Sequence, residues 1–328
     1  MQLPKGLIVD LVTPLSKDGG IDDRGLERHI KGLLPHVQAI FLAGPYMGEG
    51  ANLSPELREE LIHKTLLIVQ SRVPVLVWIS RPAIEETENN LLLMKKRLEM
   101  LKYTGPVFWV DTPLYYHSNR GLDDHYKKIT SLVEEPFIII NDPALIRGKE
   151  QPLKRLNIRT AILKGLVSIE NIKGLIFLGS LDRSYNYRKA VRSRMDFMIY
   201  DGDETYFLEH PSLNGILSRG ANLAPVAWKT ITASSLNLDG NLEDYPDHMR
   251  QILGAGRYLN ELKDIYRGYG PDFFKQVLSK IGIIEYPGSP VDPGKMLDDV
   301  DKITELMKGH RSYAPYQDTA LKNRTILE

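Results

Sequence analysis

The 328-residue sequence contains no cysteine. That excludes disulfides, a thiolate nucleophile and any Cys-ligated zinc or iron–sulfur centre, and it gives no support for an oxidising compartment. Excess charge of either sign is also missing, since 42 Lys and Arg balance 42 Asp and Glu. No whole-chain field therefore favours nucleic acid or an anionic membrane surface. Long apolar runs are lacking too. The opening stretch MQLPKGLIVDLVTPL is interrupted by Asp10 and Pro14 and is too short for a signal or spanning helix. His117, His125 and His210 show neither HxH nor HExxH spacing, so no metal site is expected. These absences lead us to expect a soluble, cytoplasmic protein with no membrane or nucleic-acid partner.

What is present is a repeated alternation of short apolar runs and helical periodicity. Residues 6–13, 39–43, 73–79, 107–110, 137–140, 174–178, 194–200 and 215–218 read as strands. Helical spacing follows each, as in Leu26, Ile30, Leu33 and Leu34, or in residues 84–103, 122–133 and 158–169. Ser54 before Pro55 marks a helix start, with a capping hydroxyl ahead of a proline at the first helical position. Residues 142–156 read as a long polar loop rich in Lys and Arg. Eight strand–helix alternations predict an α/β fold, a parallel (β/α)8 TIM barrel over residues 1–236. Residues 237–308 then read as a C-terminal helical extension, with apolar spacing over 253–265, 273–281 and 296–307. Residues 309–328 form a polar, aperiodic tail, either disordered or laid on a partner.

In a parallel barrel the strand ends at the C-terminal face carry the chemistry, so each end is informative. The sixth strand, within ENIKGLIFLGS, ends on Ile176, Phe177 and Leu178 and presents no reactive group. Around it, GLIVDLVTPLSKDGGIDDRGLERHI, AGPYMGEGANLSPELREEL, TPLYY, PFIIINDP, YDGDETYF and GILSRGANLAP occur in a recognisable order. Together they resemble the dihydrodipicolinate synthase and N-acetylneuraminate lyase superfamily. That resemblance implies a class I aldolase barrel, a homodimer or homotetramer that uses no cofactor. It further implies a 2-oxo acid, typically pyruvate, bound as a Schiff base to a lysine ending the sixth strand. A tyrosine ending the fifth strand would relay protons, and two hydroxyl residues after the second strand would hold the carboxylate.

Carried over residue by residue, the resemblance breaks at the reacting groups. The family's Asn-Ile-Val-Gly-Ile-Lys falls on Asn171-Ile172-Lys173-Gly174-Leu175-Ile176, placing Ile176 where the lysine belongs. An alkyl side chain cannot form an imine. Tyr-Asn followed by Pro falls on Ile140-Asn141-Asp142-Pro143, so Ile140 replaces the relay tyrosine. Gly-Thr-Thr-Gly-Glu becomes Pro45-Tyr46-Met47-Gly48-Glu49, exchanging two hydroxyls for a phenol and a thioether. Kept positions include Tyr115, matching the tyrosine that completes the relay across a dimer contact, with Tyr116 as the neighbouring candidate, and the acidic turn Asp203-Glu204. Ser218 and Asn222 match polar residues near the eighth strand.

Lys173 lies three residues before Ile176, roughly 10 Å back along a strand, and reads as a lysine of the opposite rim. Lys164 reads as a solvated helix residue. The resemblance with these substitutions implies a relative without Schiff-base catalysis that retains a small-molecule pocket for a 2-oxo acid or sugar acid. Tyr46, Met47, Glu49, Asn141, Asp203, Glu204, Ser218 and Asn222 are the candidate ligand contacts. Three alternatives stand beside this reading. One is an active lyase with a displaced lysine, another a non-covalent enzyme using Tyr115, Tyr46 or Glu49 as acid or base. The third is a structural subunit of a catalytic paralogue.

Overall fold

The computed structural model describes residues 3–148, 155–211, 214–236, 245–288 and 293–313. Each short apolar run becomes a strand, and all are buried along their whole length except the sixth at half-buried Lys173, as strands covered on both faces are. They are β1 (Gly6–Asp10), β2 (Ala39–Leu42), β3 (Val75–Trp78), β4 (Val107–Asp111), β5 (Phe137–Asn141), β6 (Ile172–Phe177), β7 (Met198–Asp201) and β8 (Gly215–Ser218). All pair in parallel in sequence order, and β8 closes on β1 through Leu7 opposite Ile216. The expected (β/α)8 barrel is present.

The helices that follow the strands are α1 (Asp23–Leu33), α2 (Pro55–Val69), α3 (Ile84–Leu101), α4 (Leu122–Ile129), α5 (Pro143–Arg147), α6 (Thr160–Val167), α7 (Leu181–Val191), α8 (Glu204–Glu209) and α9 (Pro225–Ser235). The extension contributes α10 (Tyr245–Tyr266), α11 (Pro271–Lys280) and α12 (Pro293–Gly309). Ser54 caps α2 as its sequence indicates, accepting from the Leu57 amide at 3.2 Å. The supposed loop at 142–156 instead opens with α5, because the Asp142 carboxylate accepts from the Ala144 and Leu145 amides at 2.9 and 3.1 Å. Residues 149–154 lie outside the described residues, as do 237–244 and the tail from 314. The seventh strand starts later than residue 194, since the Arg194 guanidinium turns back onto the carbonyls of Val167, Ile169 and Glu170.

Two apolar clusters follow the period-two alternation of strands. Leu7, Val9, Ile40, Val75, Trp109 and Leu175 face the helices. Ile8, Phe41, Trp78, Val110, Ile140, Ile176 and Tyr200 fill the barrel interior. This parity decides which strand-end residues reach the mouth. Asp10, two residues after inward Ile8, points in, whereas Asn141 and Ser218 share parity with outward Ile139 and Ile216. No helix among the described residues is long and apolar enough to cross a membrane.

Candidate functional site

A cavity of about 590 Å³ opens at the C-terminal face, walled by strand ends, by the loops after β2 and β7, and by residues of α10 and the α10–α11 turn. Its size is that of an ordinary small-molecule site, for which roughly 300–1,000 Å³ is typical. Tyr46, Met47, Glu49, Ile140, Asp203 and Glu204, all singled out in the sequence, line it. Leu178, Leu217 and Phe41 supply apolar wall.

Ile176 lies at the expected place. It is fully buried inside the barrel and stands in register between Ile140 of β5 and Tyr200 of β7. Its neighbour Ile140 lines the cavity floor. Among the described residues the one lysine in a strand is Lys173, at the opening end of β6, where it pairs with Asp196 at 3.7 Å. Tyr115 is buried above the interior, its ring edge-on to Trp78 at 5.7 Å. It is not among the cavity-lining residues.

The loop after β2 is shaped by close packing. A Cβ on Gly50 would meet the Ala43 carbonyl oxygen at 1.8 Å, so only glycine closes this coil. Within the loop, the Tyr46 hydroxyl donates to Asp142 Oδ2. Burial and the adjacent Asp142 charge raise the phenol further above its ordinary range, so it stays protonated. Glu49 is ion-paired with Lys275 of α11.

Asp203 caps α8, accepting from the Thr205 and Tyr206 amides at 2.8 and 3.0 Å. Glu204 is buried and fully engaged. Its Oε1 accepts from Ser218 Oγ at 2.6 Å and from the Gly220 amide at 2.7 Å, while Tyr266 of α10 donates to Oε2 at 2.8 Å. Arg219 Nε stands 3.7 Å from the same Oε2.

Asn141, Ser218 and Asn222 are brought near the mouth but are spent on the scaffold. Asn141 Oδ1 accepts from the Ile158 amide at 2.8 Å and from Tyr187 at 3.3 Å. Asn222 accepts from the Val12 amide and bonds the buried His29 ring at 2.9 Å. It also donates to the Asp10 and Arg219 carbonyls.

Two features were not singled out in the sequence. Asp10 is 5% exposed, lines the cavity, and its Oδ1 has no hydrogen-bond partner among the described residues. Burial pushes its carboxyl up to about 7, against the pull of the Met47 amide and Arg219, with Glu204 adding to the rise. A Cβ on Gly44 would sit 2.5 Å from that same Oδ1, so glycine there makes room for the carboxylate. The signal was available, a lone acid at inward parity in GLIVDLV. The second feature is the pair Lys263 and Arg267, which reach the cavity from the last turn of α10 and from the turn that follows it. Among the described residues, no group of three or more His, Asp or Glu side chains is placed to hold a metal ion.

The model of the dihydrodipicolinate synthetase family matches residues 3–254. The chain belongs to that family. It is 29% identical over 310 residues to the 4-hydroxy-tetrahydrodipicolinate synthase of Thermotoga neapolitana, covering 93% of this chain and 97% of that one. Solved structures of family members share the fold. The dihydrodipicolinate synthase of Bacteroides thetaiotaomicron matches with TM-score 0.75 at 23% identity, over 94% of this chain and 100% of that one. The enzyme of Acinetobacter baumannii, complexed with pyruvate, matches with TM-score 0.72 at 22% identity, over 93% and 98%. Of the positions singled out in the sequence, Ile140, Tyr46 and Met47 line the mouth cavity, and Ile176 is buried beside Ile140 in the barrel interior.

Proposed function

We propose that this dihydrodipicolinate synthetase family member has given up Schiff-base catalysis and holds a small polar ligand non-covalently at the barrel mouth. The observation that carries this reading is Ile176, which fills the inward position near the end of β6 with no nitrogen able to condense with a carbonyl. Ile140 beside it removes the acid–base group implied at the end of β5. Losing a covalent nucleophile with its proton relay forfeits a large part of the roughly 8–23 kcal/mol that enzymes commonly supply.

Any acid–base chemistry on a bound ligand rests better on Asp10 than on Tyr115, Tyr46 or Glu49. Tyr115 is absent from the lining, Tyr46 is held as a neutral phenol, and Glu49 is occupied by Lys275. A homodimer or homotetramer in the cytoplasm belongs to the same reading and rests on the family resemblance; sedimentation measures the assembly.

One second reading has an observation of its own: Lys263 lines the cavity and offers an amine from outside the barrel. Incubation with pyruvate and related 2-oxo acids, borohydride reduction and intact mass spectrometry separate the two. The expected result is no adduct while a synthase relative labels in parallel. A stoichiometric adduct mapped to Lys263 establishes the second reading, and an adduct on any lysine refutes the first.

A further inference from the structure

The cavity's charged groups differ sharply in how far the protein neutralises them. Glu204 is matched by Arg219, Ser218 and Tyr266, and Glu49 by Lys275. Asp142 and Asp203 are held by the amides of the helices they cap. Asp10, with its carboxyl raised to about 7, carries only partial charge near neutral pH. One lining carboxylate, Asp272, has no ion pair among the described residues and sits in the first turn of α11, where the helix dipole favours it.

On the other side stand Lys263, in the last turn of α10, and Arg267, the first residue after that helix. Lys263 is 7% exposed, yet its Nζ donates only to the neutral Asn260 Oδ1 at 3.1 Å. Neither cation has a carboxylate partner among the described residues, although both line the cavity. A buried ammonium without a counter-charge is costly, and an anion arriving from solvent would remove that cost.

We propose that Lys263 and Arg267 form an oxyanion subsite, so that the cavity takes a small ligand with a carboxylate or phosphate at its α10 end and hydroxyl donors toward the barrel. The barrel end suits donors because Asp10 Oδ1 accepts no hydrogen bond among the described residues, while Arg219, the cation on that side, is matched by Glu204. This subsite rests on the reading of the mouth as a non-covalent binding cavity. It adds the ligand's charge and polarity to that reading.

Calorimetric titration of the full chain with gluconate, glycerol phosphate and uncharged sorbitol tests it, at low and raised ionic strength. At least one anion should bind while sorbitol does not, and the preference between the two identifies carboxylate or phosphate as the group held. Lys263→Gln should weaken that anion at least roughly tenfold, and Lys263→Arg should retain most of the affinity. Because Arg cannot form an imine, retention in Lys263→Arg also separates ion pairing from covalent capture. Circular dichroism confirms that both variants fold. Equal binding of sorbitol and gluconate, no binding by either anion, or unchanged affinity in Lys263→Gln would overturn the subsite. None of these results produces a borohydride adduct, so they leave the non-Schiff-base reading to its own test.

Discussion

Burying Asp10 with one oxygen unsatisfied ties the protein's stability to pH near neutrality. Its carboxyl titrates from 3.8 when unfolded to about 7 when folded, so the folded state binds the proton more tightly. Its contribution is fully favourable below the unfolded value and is lost as pH rises through 7. Asp10→Asn imitates the protonated form and should stabilise the protein at about pH 8 by on the order of 1–3 kcal/mol, with little effect near pH 4. Chemical denaturation at both pH values measures this, and equal effects at the two would refute it. Asp201, raised to about 7 by burial, has the same sign and persists in the variant, so the slope should lessen without vanishing. His29 acts oppositely. Buried neutral against Asn222 with its titration lowered to about 4, it holds stability above 6.5 that is lost as pH falls through 4.

At the scale of the element, the loop after β2 depends on one side chain from α2. Arg58 is fully buried and donates to the Gly50 carbonyl at 2.5 Å and to the Trp78 carbonyl, stitching the loop to β3. Lysine keeps the charge but lacks the fork that spans both carbonyls. Arg58→Lys should therefore cost about 2–4 kcal/mol in urea unfolding, and a loss under roughly 0.5 kcal/mol would show that the loop stands without it. The strands were legible because apolar runs bounded by turn residues leave little alternative. The start of β7 was not, because Arg194 is drawn away by carbonyls that only tertiary packing brings near. Ile176 and Ile140 were placed by pattern alone. Asn141 and Ser218 were misread as facing the ligand although strand parity already turned them outward. Lys263 and Arg267 were beyond reach, since no local signal says that the end of a late helix covers the mouth of a barrel.

Across the whole molecule, the extension is fastened to the barrel by bonds of high specificity. Tyr266 donates to Glu204 and Lys275 pairs with Glu49. Arg28 Nε donates to the Ile283 carbonyl at 2.8 Å, and the Glu285 amide donates to Asp22 at 3.0 Å. Barrel and extension should thus unfold together, as a single calorimetric transition whose van't Hoff and calorimetric enthalpies agree. Two resolved transitions would mean that the helices are only appended. The placement of α10 also bears on how such a protein diversifies. Barrel strand ends are constrained by closure and interior packing, whereas a helix end and its following turn laid over the mouth can trade Lys263 or Arg267 without disturbing a strand. Ligand preference would then be inherited with the part of the gene from α10 onward, and exchanging that segment between relatives would carry selectivity from one barrel to another.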